Sequence, residues 1–398
     1  MKHIFILLCA IGLFSTVSAQ EETEKKQEQV FQFTTIKEIP ITPVKNQQSS
    51  GTCWSFSGIG LIEAELLRQG KGEYDLSEMF VASKNYEDKA TKYVRMKGNI
   101  NFAAGGSFAD VLDCIQDYGI VPDEVQTGLN YGEKKHNHAE LDILLKTYVE
   151  TVIRNPNKKL STAWMNGFRG ILNAYLGESP TRFSCQGKEY TPQSFAQSLD
   201  IHPEDYISLT SFTHHPFYTS FALEIPDNWR WSTSCNIPLD ELMQVIDNAI
   251  ESGYTVGWAS DVSERGFSRK GIAIVPDLDV IEAPGSDQSR WLDLKQEKEK
   301  DLISSLKIPV PEKTITQELR QQAFDNYETT DDHGMLIYGT AQDQQGTKYY
   351  LVKNSWGTDN PYKGTWYASK SYVAYKTTVI VVHKDVLTKE LKKKLKIG

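Results

Sequence analysis

The stretch QQSSGTCWSFS, Gln47 to Ser57, constrains this 398-residue chain more than any other, because it places a cysteine at the start of a helical pattern. Apolar residues follow at three- and four-residue spacing, at Ile59, Ile62 and Leu66. Cys53 is therefore expected near the first turn of a helix, where the positive end of the helix dipole favours thiolate over thiol. The thiolate is the nucleophilic form of cysteine, so this stretch predicts nucleophilic catalysis.

A base for that nucleophile, and a residue to orient the base, occur near the other end of the chain. His333 opens a β-strand pattern, and a second strand after a polar turn leads into Asn354. A hairpin brings its two ends together, so His333 and Asn354 are expected to be neighbours in space. His333 can then take the proton of Cys53 and return it to a leaving amine, while the Asn354 amide oxygen holds the imidazole.

Together these motifs resemble the papain-type cysteine peptidases, which carry a glutamine six residues before Cys-Trp, a later histidine before an apolar strand, and Asn-Ser-Trp-Gly. The resemblance implies that Cys53 is the nucleophile, His333 the base and Asn354 the orienting residue. It also implies that Gln47 donates to the oxyanion beside the Cys53 backbone N–H. Trp356 would shield the contact between asparagine and histidine from water.

Longer segments resemble the bleomycin hydrolase and aminopeptidase C branch of that superfamily, among them GGSFADVLDCIQDYGIVP and RQQAFDNYETTDDHGM. The similarity runs from about Pro43 to the C-terminus. It implies an α+β, papain-like fold of two subdomains, a helical half facing a β half, enlarged by mainly helical insertions. Gly105 and Gly106 would hydrogen-bond an extended substrate through their backbone, since glycine has no side chain to block close approach.

The N-terminus predicts export. Residues 1–19 form a short basic start, an apolar run and a small-x-small ending, as in a secretory signal peptide. No other stretch is long and apolar enough to span a bilayer, so the mature chain is expected to be secreted or periplasmic and free of the membrane. We divide the chain as follows: signal peptide 1–19, flexible lead 20–40, and peptidase domain 41–398, with insertions at about 123–205 and 278–327 and a C-terminal arm at about 385–398.

The C-terminal arm has two interpretations. In the branch that the chain resembles, the terminal carboxylate, here that of Gly398, lies in the cleft and receives the free amino group of the substrate, which makes the enzyme an aminopeptidase. The lysine-rich run 389–396 departs from the tails of that branch, so a solvated basic tail remains the alternative. The resemblance also implies a homohexamer with internal active sites.

Cysteine and histidine usage leaves one question open and predicts no metal. Cys114 is expected to be a small core residue, whereas Cys185 and Cys235 either pair in an oxidising compartment or stay free. The remaining histidines, although some are spaced as in metal sites, lack an accompanying ligand set and are interpreted as surface residues. No metal or cofactor is expected. The formal charge of −9 gives no reason to expect nucleic-acid binding.

The sequence therefore predicts an exported cysteine peptidase that acts on peptides through a Cys-His-Asn acyl-enzyme mechanism, with aminopeptidase activity as the preferred form. Alternatives are an endopeptidase with an open cleft, a Cys-His acyl transferase, and a catalytically silent binding protein on the same fold.

Overall fold

A computed structural model describes residues 31–263, 265–277 and 308–397. The predicted signal peptide, Gly398 and the charged part of the second insertion lie outside the described residues. Apolar side chains form two large cores, one among helices and one around a sheet. A third cluster joins the two halves through Leu61 of the first helix, Phe108 and Leu336. The predicted two-subdomain α+β arrangement is thus what the chain adopts.

The helical half is built on a central helix that begins at the cysteine. Ile59, Ile62 and Leu66 are buried along one side of it, as their spacing predicts. The next helix is capped by Ser77, whose hydroxyl accepts from the Phe80 N–H at 2.9 Å. The helices of this half are α1 (Cys53–Arg68), α2 (Glu78–Arg95), α3 (Phe108–Tyr118), α4 (Ala139–Arg154), α5 (Trp164–Leu176) and α6 (Pro192–Ser198).

The first insertion is mainly helical, as predicted, because α4, α5 and α6 all fall within 123–205. It also contains a small hairpin of β2 (Phe183–Cys185) and β3 (Lys188–Tyr190), and short 3-10 helices at Asp123–Val125 and Pro203–Asp205. Leu141, Leu145 and Phe168 of this insertion are buried in the core of the helical half. The insertion is therefore part of the same packing unit as α1.

The sheet half has the strand order β5-β6-β4-β13-β7-β10-β11-β12-β9-β8, with β1 also paired to β10. Its strands are β1 (Phe33–Glu38), β4 (Tyr206–Thr210), β5 (Ser220–Ala222), β6 (Thr233–Asn236), β7 (Val256–Ser260), β8 (Phe267–Ser268), β9 (Ile272–Ala273), β10 (His333–Asp343), β11 (Lys348–Lys353), β12 (Thr365–Ser369) and β13 (Thr377–His383). The helices packed with it are α7 (Leu239–Glu251), α8 (Gln317–Asp325), α9 (Lys370–Lys376) and α10 (Lys389–Leu395). A 3-10 helix, Lys384–Val386, links β13 to α10.

The hairpin predicted between the histidine and the asparagine is present. β10 and β11 pair antiparallel, with Leu336 opposite Lys353 and Gln342 opposite Lys348. At the turn, one carboxylate oxygen of Asp343 accepts from the backbone N–H groups of Gln345 and Thr347. This local bonding fixes the register that brings the start of β10 beside the end of β11.

Ordered structure begins earlier than the sequence predicted. The segment 20–40 was expected to be a flexible lead, yet Phe33 to Glu38 form β1 and pair with β10. Two aromatic residues provide the reason: Phe33 stacks on Tyr367 with ring centroids 3.8 Å apart, and Phe31 is buried. The mostly polar composition of residues 20–40 gave no indication of these aromatic contacts.

The structure answers the open question about the cysteines and corrects one prediction about the histidines. Cys185 and Cys235 are both free and pack against different cores, so they do not form the disulfide that was left open. His138 was interpreted as a surface residue, but its side chain is fully buried. Cys114 is buried in the helical half, which confirms its predicted place in a core.

Among the described helices, none is long and apolar enough to cross a membrane.

Candidate active site

Cys53 is the first residue of α1 and lies where the two halves meet. It lines one pocket together with His333 and Gly334 from the start of β10. Gly334 permits this meeting, because a Cβ at that position would come within 2.6 Å of the Ser57 hydroxyl oxygen and 3.3 Å of the Trp54 Cα. The sheet therefore approaches the N-terminus of α1 more closely than a residue with a side chain would allow.

The resting state of Cys53 differs from the prediction. The pKa of the thiol is raised to about 11, chiefly by burial and to a smaller extent by the carboxylates of Asp331 and Asp227. The backbone N–H groups of Gly334 and Trp54 act in the opposite direction but do not compensate. At this position burial therefore outweighs the helix N-terminus, which was expected to favour the thiolate. The thiol is neutral, because burial disfavours the charged form.

His333 is held by Asn354 in one orientation and one tautomer. The His333 Nε2 atom lies 2.8 Å from the Asn354 Oδ1 atom, and both side chains are buried. The same Oδ1 accepts from the Ser355 backbone N–H at 2.7 Å, which fixes the amide with its oxygen towards the imidazole. His333 therefore donates through Nε2–H, and Nδ1 carries the free lone pair. Burial lowers the pKa of His333 to about 4, so the ring is neutral and able to accept a proton.

Trp356 contacts this pair, and Gln47 bonds to Ser355, the residue after Asn354. The Trp356 ring is 4.8 Å from the His333 ring, centroid to centroid, and covers the imidazole as the resemblance implied. Gln47 is buried; its Oε1 accepts from the Ser355 hydroxyl at 2.5 Å and its Nε2 donates to the Ser50 carbonyl at 2.7 Å. These two bonds fix the amide and leave one N–H of Nε2 for another acceptor.

The two predicted substrate-binding glycines differ in their surroundings. Gly106 lines the pocket that holds Cys53. Gly105 does not offer its backbone as predicted, because its carbonyl accepts from Lys89 and the Asp227 carboxylate covers its Cα. A Cβ at Gly105 would overlap the Asp227 carboxylate. The structure therefore corrects the role predicted for Gly105. Gly106 lines the pocket, and Trp54 and Asp110 pack against its Cα so closely that a Cβ would come within 2.9 Å of each. Gly398 lies outside the described residues.

Sequence reasoning missed the acidic lining of the groove. Asp227, Asp331 and Asp332 line the same pocket as Cys53, and no lysine or arginine is among the described residues that line it. The pair Asp331-Asp332 stands directly before His333 in the sequence, so its adjacency could have signalled a charged site. Asp227 had no such signal, because it is more than a hundred residues from each of the other site residues.

One group outside the groove has the donor types of a metal site. His214, His215 and Glu224 lie close together, with each histidine Nε2 near a Glu224 oxygen. Gln321 accepts from the Thr213 N–H through Oε1 and therefore donates through Nε2 to His214 Nδ1, at 3.1 Å. The proton of His214 then resides on Nε2, the atom that faces Glu224. The contacts are those of a hydrogen-bonded cluster.

Comparison with known proteins agrees with this site. Residues 29–167 match the family model "Papain family cysteine protease", and residues 295–397 match "Peptidase C1-like family". Aminopeptidase G of Lactobacillus delbrueckii is 23% identical over 396 residues, covering 89% of this chain and 83% of the relative. Aminopeptidase C of Listeria monocytogenes is 22% identical over 400 residues, covering 89% and 83%.

Among solved structures, PepW from Lactobacillus rhamnosis superposes with a TM-score of 0.65 at 21% identity, covering 91% of this chain and 84% of that one. At this identity the match supports the fold. The two family models contain Cys53 and His333, respectively, and match the papain-like peptidases from both ends of the chain. The chain is therefore a papain-family cysteine peptidase that is similar to aminopeptidases C and G.

Proposed function

We propose that this peptidase is an aminopeptidase that works through an acyl-enzyme on Cys53. The observation that carries the mechanism is the 2.8 Å contact between His333 Nε2 and Asn354 Oδ1. Because this contact leaves Nδ1 as the basic nitrogen, His333 is ready to accept a proton in the pocket that also holds Cys53.

In the first half of the reaction, the Cys53 sulfur attacks the peptide carbonyl carbon while its proton passes to His333 Nδ1. The tetrahedral oxyanion is stabilised by the Cys53 backbone N–H, which α1 does not use. The remaining N–H of the Gln47 amide is the second donor. Collapse of the intermediate breaks the C–N bond, and His333 returns its proton to the leaving amine. A thioester on Cys53 remains.

In the second half, water attacks the thioester. His333 takes a proton from the water, the C–S bond breaks, and the thiol receives the proton as the carboxylic acid leaves. Asn354 and Trp356 act as positioning residues, because they hold and cover the imidazole without contacting the scissile bond.

Two features support aminopeptidase activity. The relatives that span most of this chain are named aminopeptidases C and G. The groove also has carboxylates where a free amino group needs a negative partner. An endopeptidase would cleave a peptide and its N-acetylated twin equally, and an acyl transferase would form a new amide when a second amine is added. Measuring both products separates the three activities.

The experiment that tests the proposal is replacement of the nucleophile. We expect Cys53→Ala to abolish peptide hydrolysis while the protein unfolds at the wild-type denaturant concentration, because a small residue at a helix start is tolerated. Cys235→Ala is the matched control, since this free thiol lies in the sheet half away from the groove. A Cys53→Ala protein with wild-type turnover would disprove the mechanism.

Export is a further part of the proposal and rests on the sequence of residues 1–19. The expected product is a mature chain that begins at Gln20, outside the cytoplasm. N-terminal sequencing of protein recovered from fractionated cells checks this, and an intact N-terminus in the cytoplasmic fraction would contradict it.

A further inference from the structure

A hairpin loop crosses the groove from the sheet half to the helical half. We call residues 223–232, which connect β5 to β6, the groove-closing segment. Leu223, Ile225 and Asp227 of this segment line the pocket that contains Cys53. The segment thus begins and ends in the sheet half but forms one wall of the catalytic groove.

Ion pairs fix the far side of the groove-closing segment to the helical half. Arg230 donates through Nε to Asp110 of α3 at 2.6 Å and through Nη2 to Asp88 of α2 at 2.7 Å. Lys92 of α2 donates to the Arg230 carbonyl at 2.8 Å. Asp110 is fully buried, so the charge-assisted bond to Arg230 is shielded from solvent and holds the segment firmly.

Asp227 occupies space that an extended substrate would need. Its Oδ1 accepts from the Asn101 amide at 3.1 Å, and its carboxylate lies against the Gly105 Cα. Gly106, one residue nearer α3, lines the pocket. The Asp227 carboxylate therefore lies on the Gly105 side of the pocket, where it would block an extended peptide that ran from Gly106 past Gly105.

A second carboxylate faces the same space. The negative charge of Asp227 acts on Asp331 and helps to raise its pKa, which indicates that the two groups are close. Within the described part of the chain, the Asp331 carboxylate accepts one hydrogen bond, from the Thr378 hydroxyl at the long distance of 3.5 Å. Asp332 differs, because its carboxylate accepts from the Ser263 N–H at 3.1 Å and the Thr330 hydroxyl at 2.9 Å. Asp331 therefore has the capacity to accept from a ligand.

The C-terminal arm does not supply this wall in its described part. Leu391 of α10 is buried in the core of the sheet half, and Ile397 packs against that core. Lys394 pairs with Glu241 of α7 at 2.9 Å. None of the described residues 385–397 lines the pocket around Cys53. Among the residues that the structure describes, the carboxylates that line the groove belong to Asp227, Asp331 and Asp332, in the interior of the sequence.

We propose that the groove-closing segment makes the enzyme selective for free N-termini, with Asp227 and Asp331 receiving the α-ammonium group of the peptide. This inference rests on the proposed peptidase function. An ammonium group carries three donors, so it can bridge both carboxylates. Its positive charge also offsets the two negative charges that disfavour a thiolate on Cys53. Binding of the correct substrate end would thus ease activation of the nucleophile.

The test compares a fluorogenic peptide with its N-acetylated twin in wild-type protein, Asp227→Asn and Asp331→Asn. Both variants keep the side-chain shape. We expect Asp227→Asn to lower kcat/KM for the free peptide by about 10- to 100-fold, the usual range for losing a hydrogen bond between charged groups. The acetylated twin should keep its low kcat/KM or gain. Asp227→Glu, which retains the charge, should recover part of the selectivity.

Asp117→Asn is the matched control, because Asp117 is an exposed aspartate at the end of α3. It should leave the ratio of the two kcat/KM values unchanged. If Asp227→Asn and Asp331→Asn both keep the wild-type ratio, the inference is wrong although the peptidase proposal stands. The inference also fails if moving the terminal carboxylate, by appending two residues after Gly398, removes selectivity on its own. Loss of all hydrolysis in wild-type protein would instead refute the proposed function.

Discussion

The boundary between the two halves has a closed end and an open end that forms the groove. The two ends differ in how their carboxylates are paired with lysines. At the closed end, two lysines and three carboxylates form what we call the boundary cluster: Lys45, Glu63, Asp75, Glu78 and Lys353. Lys45 Nζ lies 2.5 Å from Asp75 and 2.7 Å from Glu78. The Thr42 hydroxyl donates to Glu63 at 2.5 Å and accepts from Lys353 at 2.8 Å.

At the open end, the groove contains Asp227, Asp331 and Asp332 without a lysine or arginine among its described lining residues. Burial of charge without a partner is costly, so the boundary cluster balances its carboxylates with cations. In the groove, the positive charge of Lys89 acts on Asp227, but its ammonium group donates to the backbone carbonyls of Ala103 and Gly105 and does not line the pocket. The comparison teaches that the three groove carboxylates outnumber the nearby cation, so that a substrate can bring a further one.

The largest effect on stability is expected at the boundary cluster. Lys353→Met removes a buried cation and leaves Glu63 with less compensation, so the free energy of unfolding should fall by about 3 kcal/mol. Urea denaturation measures this fall in the free energy of unfolding. Lys348→Met, on the exposed end of the same strand, is the control and should change stability little. Equal free energies of unfolding for the two variants would show that the boundary cluster does not stabilise the fold.

Asn354 follows Lys353 in the sequence, and its replacement should affect catalysis more than stability. Asn354→Ala frees the His333 ring and should lower kcat by about 100-fold, within the range that general acid–base catalysis contributes. Loss of kcat should exceed any change in KM, because Asn354 acts through His333. Steady-state kinetics on a free peptide measure both. Wild-type kcat would contradict the orienting role.

A third prediction concerns the pH dependence of stability. Burial, aided by the charges of Asp227 and Asp332, raises the pKa of Asp331 to about 7. The folded protein therefore binds this proton more tightly than the unfolded chain, whose aspartates titrate near pH 4. The contribution of Asp331 to stability is favourable at low pH and is lost as the pH rises from about 4 to about 7.

Asp331→Asn lacks this titration. Relative to wild type, the variant should gain stability as the pH rises through that window and the gain should level off above about pH 7. Urea unfolding of both proteins across the window gives the difference. A difference that does not change with pH would show that Asp331 keeps an ordinary pKa.

The smallest effect is expected at the C-terminal arm. Lys394 pairs with Glu241 at a partly exposed surface, and such pairs contribute at most about 1 kcal/mol. Lys394→Ala should therefore change neither stability by more than that nor the preference for free N-termini. A large loss of this preference in Lys394→Ala would show that the C-terminal arm, and not residues 223–232, determines the selectivity for free N-termini.

Local patterns were sufficient to predict much of the fold and the reactive pair. The helix that begins at Cys53 and the hairpin that joins His333 to Asn354 follow from short-range periodicity and turn chemistry. The strand Phe33–Glu38 escaped prediction, because it is stabilised by pairing with a strand three hundred residues away. Its own polar sequence contains little that signals this partner.

Long-range packing also explains what the site prediction lacked. Whether a helix N-terminus yields a thiolate depends on burial and on charges contributed by other segments, so the resting state of Cys53 could not be read from its neighbours. Asp227 enters the groove because Arg230 anchors its loop to Asp110, a contact between residues 120 positions apart. No periodicity in the sequence encodes such a contact.

The most direct test of the central claim is a mass-spectrometric product analysis of an unbiased peptide mixture, presented once with free and once with acetylated N-termini. The account predicts that the wild-type enzyme releases residues from the N-terminus of the free peptides and leaves the acetylated peptides intact. Internal cleavage at equal rates in both mixtures would contradict it.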